Sequence, residues 1–428
     1  MPRWLYALLI FGVLAPILNV LHVPPLILFI CAALGIVPLA ALIGQSVEQI
    51  AEHTGERIGG LLFATFGNAT ELIIGLFALS EGLVDVVKAS IIGSILGNAL
   101  LVLGVSICVG GFKHGRLRFE TQPASQYASL LALCIGGLVL PAFAELLATR
   151  TNQPQIVERG VLLSDFIAVL LLLGYVASIL FSVFRLGDKT TGEAFDPLTG
   201  AHSEATIARL LAYRRHLEES SPAGKSDELR QIDRTLNTIV THETQPPAKE
   251  EAVRQQEQSK RSGKQEVGNK RPEQKSKLWL SLLLLAVSTA GVAWLSEILV
   301  GSIEPFTTAL HWNPAFVGLV FVPLIGGLPE YFNTISMVLE KRVGMVLAAS
   351  AGSSIQIALL MAPLLVLISL VMPKRLDLVF SVVELAVLGL ATFLFSEITK
   401  DGELVWLEGL LLILLYCMMG GTVFLFGA

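Results

Sequence analysis

Charged residues are scarce in this chain: Asp, Glu, Lys and Arg together make up 15% of its 428 residues. A soluble domain of ordinary composition carries about a quarter charged residues. This scarcity argues against an ordinary soluble domain. The sequence also shows no basic patch of the kind that binds nucleic acid, so we expect no nucleic-acid partner.

Cysteine is rare as well. The four cysteines, Cys31, Cys108, Cys134 and Cys417, all lie in apolar stretches, and none belongs to a C-x-x-C pair. They indicate buried thiols rather than a disulfide framework or a metal site.

Motifs of enzymes and of nucleotide-driven pumps are missing. The sequence has no G-x-x-x-x-G-K-[ST] phosphate loop, no H-E-x-x-H and no Ser/His/Asp pattern. We therefore expect neither an enzyme nor a resident cofactor, and a transport activity would have to draw on an ion gradient.

Apolar residues, in contrast, make up 53% of the chain and come in blocks of roughly 20. A helix of about 20 residues crosses the ~30 Å hydrocarbon layer of a bilayer. Backbone polar groups in lipid must bond within their own segment, which favours helices. The pattern predicts an all-α polytopic membrane protein that contacts the lipid bilayer, with the first block kept as a helix rather than cleaved as a signal peptide.

Eleven blocks are candidate transmembrane helices. They lie near residues 4–21, 25–44, 58–79, 86–110, 125–147, 160–184, 278–300, 314–338, 343–371, 376–397 and 404–426.

The blocks divide the chain into four parts: an N-terminal helix (1–24), a first group of five helices (25–185), a hydrophilic loop (186–277) and a second group of five helices (278–428). The loop is polar, and its last part cannot bury enough apolar surface to fold alone. It is either a solvated linker with surface helices or a regulatory arm. The distribution of Lys and Arg places the N-terminus and this loop in the cytoplasm.

An internal repeat relates the two groups of five helices. Gly67–Glu71 returns as Gly326–Glu330, an offset of 330 − 71 = 259 residues. Gly93–Leu96 returns as Gly352–Ile355 at the same offset, 352 − 93 = 259. Because each group has an odd number of spans, the second is inverted in the membrane. Inverted repeats are typical of secondary transporters that bind substrate near the midplane and work by alternating access.

Glu71 and Glu330 fall in the middle of their spans at matching repeat positions. A charged side chain at the bilayer centre costs at least ~2.5–3.5 kcal/mol, so such a residue is a functional candidate. The alternative is a glutamate that is protonated or bonded to its helix without binding a ligand. The repeat-matched pair favours a cation site, and hard cations such as Ca²⁺ take roughly six to eight oxygen ligands.

Other oxygens in the same two groups of helices complete the candidate ligand set. They are the side chains of Asn68, Asn98, Ser94, Ser353 and Gln356, with Thr70, Asn333, Ser354 and the Ile325 carbonyl as further possibilities. Pro329 has no N–H for that carbonyl, which leaves it free. Glu48 and Glu304, matched at an offset of 256, belong either to the ion path or to helix ends.

Small residues accompany the acidic pair. Gly67, Gly326 and Gly327 allow close backbone approach and local unwinding of helices. Gly93 and Gly352 serve either the site or plain helix packing.

A buried glutamate pair predicts a coupling mechanism. Poor solvation and mutual repulsion favour neutralisation of the pair, either by one divalent cation or by protons. Competition between the two produces antiport, and charge balance suggests two or more protons per cation.

At these residues the sequence resembles the cation/proton antiporters (CAX) of the calcium/cation antiporter superfamily. The likeness is carried by Ala64–Ile73, Gly93–Leu96, Gly352–Leu359 and Trp406–Leu411, and it covers nearly all of the membrane part. The resemblance implies eleven helices and exchange of Ca²⁺ for H⁺. It also implies that Glu71 and Glu330 bind the cation, with Gln356, Ser353 and Asn98 as helpers.

The second motif departs from that family. Where the family usually has G-N-A-A-E-H, this chain has Gly326-Gly327-Leu328-Pro329-Glu330-Tyr331, whose L-P-E is similar to that of sodium/calcium exchangers. Two alternatives stay open: a Na⁺-coupled exchanger, and a degenerate membrane sensor or scaffold that transports nothing. The sequence also leaves open whether the chain forms a homo-oligomer, and whether it lies in a cell membrane or an organellar one.

Overall fold

The computed structural model describes residues 3–54, 61–62, 65–150, 154–182 and 271–426. Within these ranges the chain is helical apart from turns and two strands of two residues each. A helix satisfies its own backbone hydrogen bonds, so long apolar segments adopt this form in lipid. The structure confirms the all-α class.

The first half is a run of helices with one π-helical interruption. It comprises α1 (Arg3–Ala7), α2 (Leu9–Val20), α3 (Pro25–Thr54), α4 (Ala69–Ser80), α5 (Val84–Leu96), the π-helical segment π1 (Gly97–Val102), α6 (Leu103–His114), β1 (Leu117–Arg118), α7 (Thr121–Arg150) and α8 (Pro154–Ser182).

The second half follows the same order with two such interruptions. It comprises α9 (Arg271–Gly301), α10 (Ile303–Leu310), α11 (Pro314–Phe316), π2 (Val317–Phe321), α12 (Val322–Leu339), α13 (Val343–Gln356), π3 (Ile357–Met361), α14 (Ala362–Ile368), a 3₁₀ turn (Ser369–Val371), α15 (Val382–Ile398), β2 (Glu403–Leu404) and α16 (Trp406–Phe426).

Eight helices in the described part of the chain are long and apolar enough to cross a membrane. Two further apolar helices, Leu5–Val20 and Ala69–Ser80, are shorter. Each of the eleven predicted blocks overlaps a described helix, although the helix within block 376–397 begins only at Val382 and part of block 58–79 lies outside the described residues. The number of membrane crossings stays a prediction. The predicted hydrophilic loop falls almost wholly on residues 183–270, which lie outside the described residues, so its boundaries also stay a prediction.

The π-helical segments extend the internal repeat. π1 begins at Gly97 and π3 at Ile357, an offset of 357 − 97 = 260, one residue from the offset of the sequence motifs. A π-helical turn interrupts the regular hydrogen-bond ladder and is frequent at functional sites. The interruption follows the Gly-Ser motif directly in the first half and after one residue, Gln356, in the second.

Helices α5 and α13, which carry these motifs, form the buried centre of the bundle. Ile91, Ile92 and Ile95 of α5 and Leu347 and Ala351 of α13 belong to the main hydrophobic core. Ser94 of the first motif and Ser354 of the second are buried within this core.

Two loop contacts join the halves at opposite ends of the bundle. At one end β1 pairs antiparallel with β2, with Arg118 opposite Glu403, and Arg116 and Arg118 form ion pairs with Glu403. At the other end the loop between the 3₁₀ turn and α15 contacts α5 and α8 through charged residues.

A candidate cation site between the two repeats

A helix break positions the first glutamate. Gly67 and Asn68 form a turn, and α4 begins at Ala69. Glu71 therefore lies in the first turn of α4, where unpaired backbone N–H groups favour a negative charge. Its side chain is only 4% exposed.

Glu71 lies directly against the second half of the protein. A Cβ atom added to Gly326 of α12 would lie 2.8 Å from both Cδ and Cγ of Glu71. Cβ atoms are essentially never found so close to other heavy atoms, so any side chain at 326 would push the Glu71 carboxylate out of its present position. The carboxylate of one repeat thus touches the helix that carries the glutamate of the other.

Glu330 is held by residues of two other helices. The Ser353 hydroxyl on α13 donates a hydrogen bond of 2.7 Å to Glu330 Oε1. The Asn98 side chain of π1 also interacts with this carboxylate, and Glu330 interacts electrostatically with Glu71. The predicted acidic pair is therefore brought together in the structure.

A hydrogen bond between two amides crosses from one half to the other. Asn68 Nδ2 donates to Gln356 Oε1 at 3.0 Å, which leaves the Asn68 oxygen available. In the described part of the chain, Asn68 Oδ1 and the Ser94 hydroxyl oxygen are buried without a hydrogen-bond partner. Buried polar atoms are rarely left unpaired, because each costs ~1–3 kcal/mol. Of the two, Ser94 lines the same cavity as the Glu71 carboxylate, so its unpaired oxygen is available to a cation there.

A small cavity of about 10 Å³ lies at this point, with room for roughly one water molecule or ion. Its wall is formed by Glu71, Ser94, Gly97, Asn98, Val102, Pro323, Leu324, Tyr331 and Tyr416. No group of three or more His, Cys, Asp or Glu side chains suited to a metal occurs in the residues the structure describes. Neutral oxygens must therefore supplement the two glutamates as cation ligands.

Two tyrosines of the cavity wall are missing from the sequence-based site. Tyr331 follows Glu330 directly, and its position next to that glutamate could have indicated it. Tyr416 lies in α16, outside every repeat motif, and no signal in the sequence pointed to it. Its hydroxyl donates to the Leu319 carbonyl in π2 at 3.3 Å.

Three of the predicted side chains line the cavity: Glu71, Ser94 and Asn98. Glu330, Ser353, Asn68 and Gln356 are not part of its wall and belong to the site only through the contacts given above.

Several other predicted residues lie elsewhere. The side chains of Asn333, Glu48 and Glu304 are exposed and do not line the cavity. Thr70 is buried but is not part of the wall, and the Ser354 hydroxyl donates to the Ile95 carbonyl at 3.0 Å. A role for the Ile325 carbonyl stays a prediction.

The predicted glycines differ in what they do. An added Cβ at Gly93 would lie 2.0 Å from the Leu319 carbonyl oxygen, so α5 and π2 pack in close contact there. At Gly352 it would meet nothing within 4 Å, so of the two alternatives, helix packing finds no support at this position. The helix breaks at Gly67, as expected, whereas α12 continues through Gly326, Gly327 and Pro329.

The chain is similar in sequence to known ion exchangers along almost its whole length. The sequence profile described as "Sodium/calcium exchanger protein" matches residues 24–184 and 280–425. A "Ca(2+)/H(+) antiporter" of Aphanothece halophytica is 32% identical over 418 residues, which cover 97% of this chain and 94% of that protein. The "Ca(2+)/H(+) antiporter ChaA" of Bacillus subtilis is 30% identical over 426 residues, 99% of this chain and 100% of that protein.

A solved structure shares the architecture. The structure of native YfkE superposes with a TM-score of 0.69 at 28% identity and covers 98% of this chain and 99% of its own. The arrangement of helices is therefore that of a known membrane protein.

Proposed function

The chain belongs to the sodium/calcium exchanger protein family, and from this premise we propose that it is a multi-pass membrane antiporter that exchanges Ca²⁺ for H⁺. Relatives about 30% identical over most of the chain carry the name Ca²⁺/H⁺ antiporter. The transported Ca²⁺ is the substrate, and the proton gradient is the energy source.

The contact of Glu71 with Gly326 is the observation on which this proposal rests. It brings a buried carboxylate from one repeat against the glutamate-bearing helix of the other, in a cavity that the unpaired Ser94 hydroxyl also lines. Carboxylate, amide and hydroxyl oxygens are ligands of the type that Ca²⁺ prefers. The set contains no thiolate or thioether, the soft ligands that favour metals such as Cu⁺ and Zn²⁺.

Competition at the two glutamates couples the ions. With Ca²⁺ bound, Glu71 and Glu330 are both anionic and their repulsion is neutralised by the metal. Without it, poor solvation and repulsion favour protonation of the pair. Release of Ca²⁺ on one side therefore requires protons from that side, and these protons must leave before Ca²⁺ binds again.

Alternating access follows from the position of the site. The proposed ligands come from α4, α5 and π1 of one repeat and from α12 and α13 of the other, so the proposed site lies where the two halves meet. Small displacements of one group of helices against the other then open the site to one side at a time.

A transport assay tests the proposal. In vesicles with an acidic interior, we expect accumulation of ⁴⁵Ca²⁺ that stops when the pH gradient is collapsed. Glu71→Gln and Glu330→Gln keep the side-chain size but remove the exchangeable charge, and we expect each to lose uptake by more than tenfold. Glu145→Gln, which changes a half-buried glutamate of α7 outside the cavity, is the matched control and should transport normally. Full uptake by either site variant would refute the assignment of ligands.

The same vesicles distinguish the Na⁺-coupled alternative raised by Leu328-Pro329-Glu330. With no pH gradient, an outward Na⁺ gradient should leave ⁴⁵Ca²⁺ uptake at background. If Na⁺ alone drives uptake, the coupling ion is Na⁺ rather than H⁺, and the assignment of the cation site is unaffected.

A further inference from the structure

Two serines of α13 bind the backbone of the helix that faces them. Ser350 and Ser354 are one helical turn apart and fully buried. The Ser350 hydroxyl donates to the carbonyl oxygen of Asn98, and the Ser354 hydroxyl donates to that of Ile95 at 3.0 Å. The two hydrogen bonds join α13 to the α5–π1 junction.

The Asn98 carbonyl is not in an ordinary helical position. It belongs to π1, where the N–H of Leu103, five residues later, bonds to it. In an α-helix the partner would be the N–H four residues later. The π turn interrupts the regular hydrogen-bond ladder, and the Ser350 hydroxyl occupies the second acceptor site of this carbonyl.

The side chain of the same asparagine reaches the cation site. Asn98 lines the cavity together with Glu71 and interacts with the Glu330 carboxylate. The other partner of Glu330 is Ser353, which lies in the same turn of α13 as Ser350 and Ser354. A single turn of α13 thus binds the Glu330 carboxylate through Ser353 and the Asn98 backbone carbonyl through Ser350.

We propose that Ser350 is a positioning residue for cation binding: by holding the carbonyl of Asn98, it fixes the π1 turn so that the Asn98 amide points at the site. Ser350 does not line the cavity and does not touch the ion. The proposal rests on the cation site described above. It assigns a function to a serine that is absent from both repeat motifs, since its repeat equivalent, 350 − 259, is Ile91.

The test compares three variants in the full-length chain. Ser350→Ala removes the hydroxyl, and Ser350→Cys keeps a similar volume with only a weak donor. Ser90→Ala is the matched control, because Ser90 is a buried serine of α5 whose hydroxyl bonds only within its own helix, to Val87 at 2.9 Å. The readouts are the Ca²⁺ dependence of initial uptake rates in proteoliposomes and the Kd for Ca²⁺ by titration calorimetry.

We expect Ser350→Ala and Ser350→Cys to raise the KM and Kd for Ca²⁺ about threefold to tenfold, as the loss of one buried hydrogen bond predicts, while the maximal rate changes less than twofold. Ser90→Ala should leave both constants unchanged. A Kd within twofold of wild type in Ser350→Cys, or an equal rise in Ser90→Ala, would overturn the proposal. Calorimetry measures Ca²⁺ binding without a pH gradient, so it tests this proposal independently of transport. A failure of the proposed antiport would be seen separately, as wild-type uptake that does not depend on the pH gradient.

Discussion

At the scale of single residues, the site depends on close contacts that glycine permits. Gly326 lets the Glu71 carboxylate lie against α12, and any larger residue would displace it. The sequence could predict that Gly326 matters, because it accompanies the acidic motif. It could not predict that the partner is Glu71, since this contact joins residues 255 positions apart (326 − 71).

We expect Gly326→Ala to lower Ca²⁺ uptake by more than tenfold, because the new Cβ overlaps Cγ and Cδ of Glu71. Gly352→Ala is the control: it lies in a repeat motif within a helix, and its Cβ would enter open space. Alanine also favours a helix by ~1 kcal/mol over glycine, so this control should fold at least as well. Equal activity of the two variants in ⁴⁵Ca²⁺ uptake would show that close contact at 326 is unimportant.

The unpaired hydroxyl of Ser94 gives a second prediction, in which affinity and stability change in opposite directions. Ser94→Ala removes a buried oxygen that has no partner in the described part of the chain. We expect the melting temperature without Ca²⁺ to stay level or rise, by the equivalent of up to ~1 kcal/mol. The KM for Ca²⁺ should rise severalfold, because a ligand oxygen is lost.

Ser288→Ala is the control for Ser94→Ala. Ser288 of α9 is also buried with an unpaired hydroxyl among the described residues, but it does not line the cavity. It should show the same direction of change in stability with an unaltered KM. A fall in melting temperature for Ser94→Ala at an unchanged KM would mean that this hydroxyl has a structural role instead.

At the scale of helices and loops, hydropathy predicts where helices run but not where their hydrogen bonding changes. The apolar blocks located the helices because burial in lipid depends on composition alone. The break at Gly67 was foreseeable from glycine. The π segments were not, because a wider turn changes backbone pairing without changing which residues are apolar.

The loop between the 3₁₀ turn and α15 shows how such elements are held together. Lys88 of α5 pairs with Asp377 of this loop, and Arg375 binds Asp165 of α8 through both carboxylate oxygens, at 2.7 and 2.8 Å. Leu376 and Leu378 of the same loop are fully buried. The loop therefore connects the second repeat to two helices of the first.

We expect Asp377→Lys to destabilise the protein, because it places two cations together where an ion pair was. Both partners are partly exposed, so the loss of the pair itself is about 1 kcal/mol. The double variant Lys88→Asp with Asp377→Lys restores the opposite charges and should recover most of the melting temperature in detergent. A double variant that is as unstable as the single one would show that these residues contribute by something other than their charge pair.

At the scale of the whole molecule, the repeat allowed most of the architecture to be predicted. Matching motifs at one offset implied two inverted halves and a site between them, and π1 and π3 follow the same offset within one residue. For Glu48 and Glu304 the sequence could not decide between the ion path and a helix end, because matching repeat positions do not reveal which face of a helix points inward. Tyr416 was missed because it reaches the cavity from outside the repeat motifs.

The central claim is that Glu71 and Glu330 hold either Ca²⁺ or protons. It is tested most directly by adding Ca²⁺ to the purified protein in weak buffer and measuring the protons released. We predict release of at least about one proton per Ca²⁺ bound in the wild type, and loss of both binding and release in Glu71→Gln combined with Glu330→Gln. Ca²⁺ binding without proton release, or binding that persists in the double variant, would contradict the account.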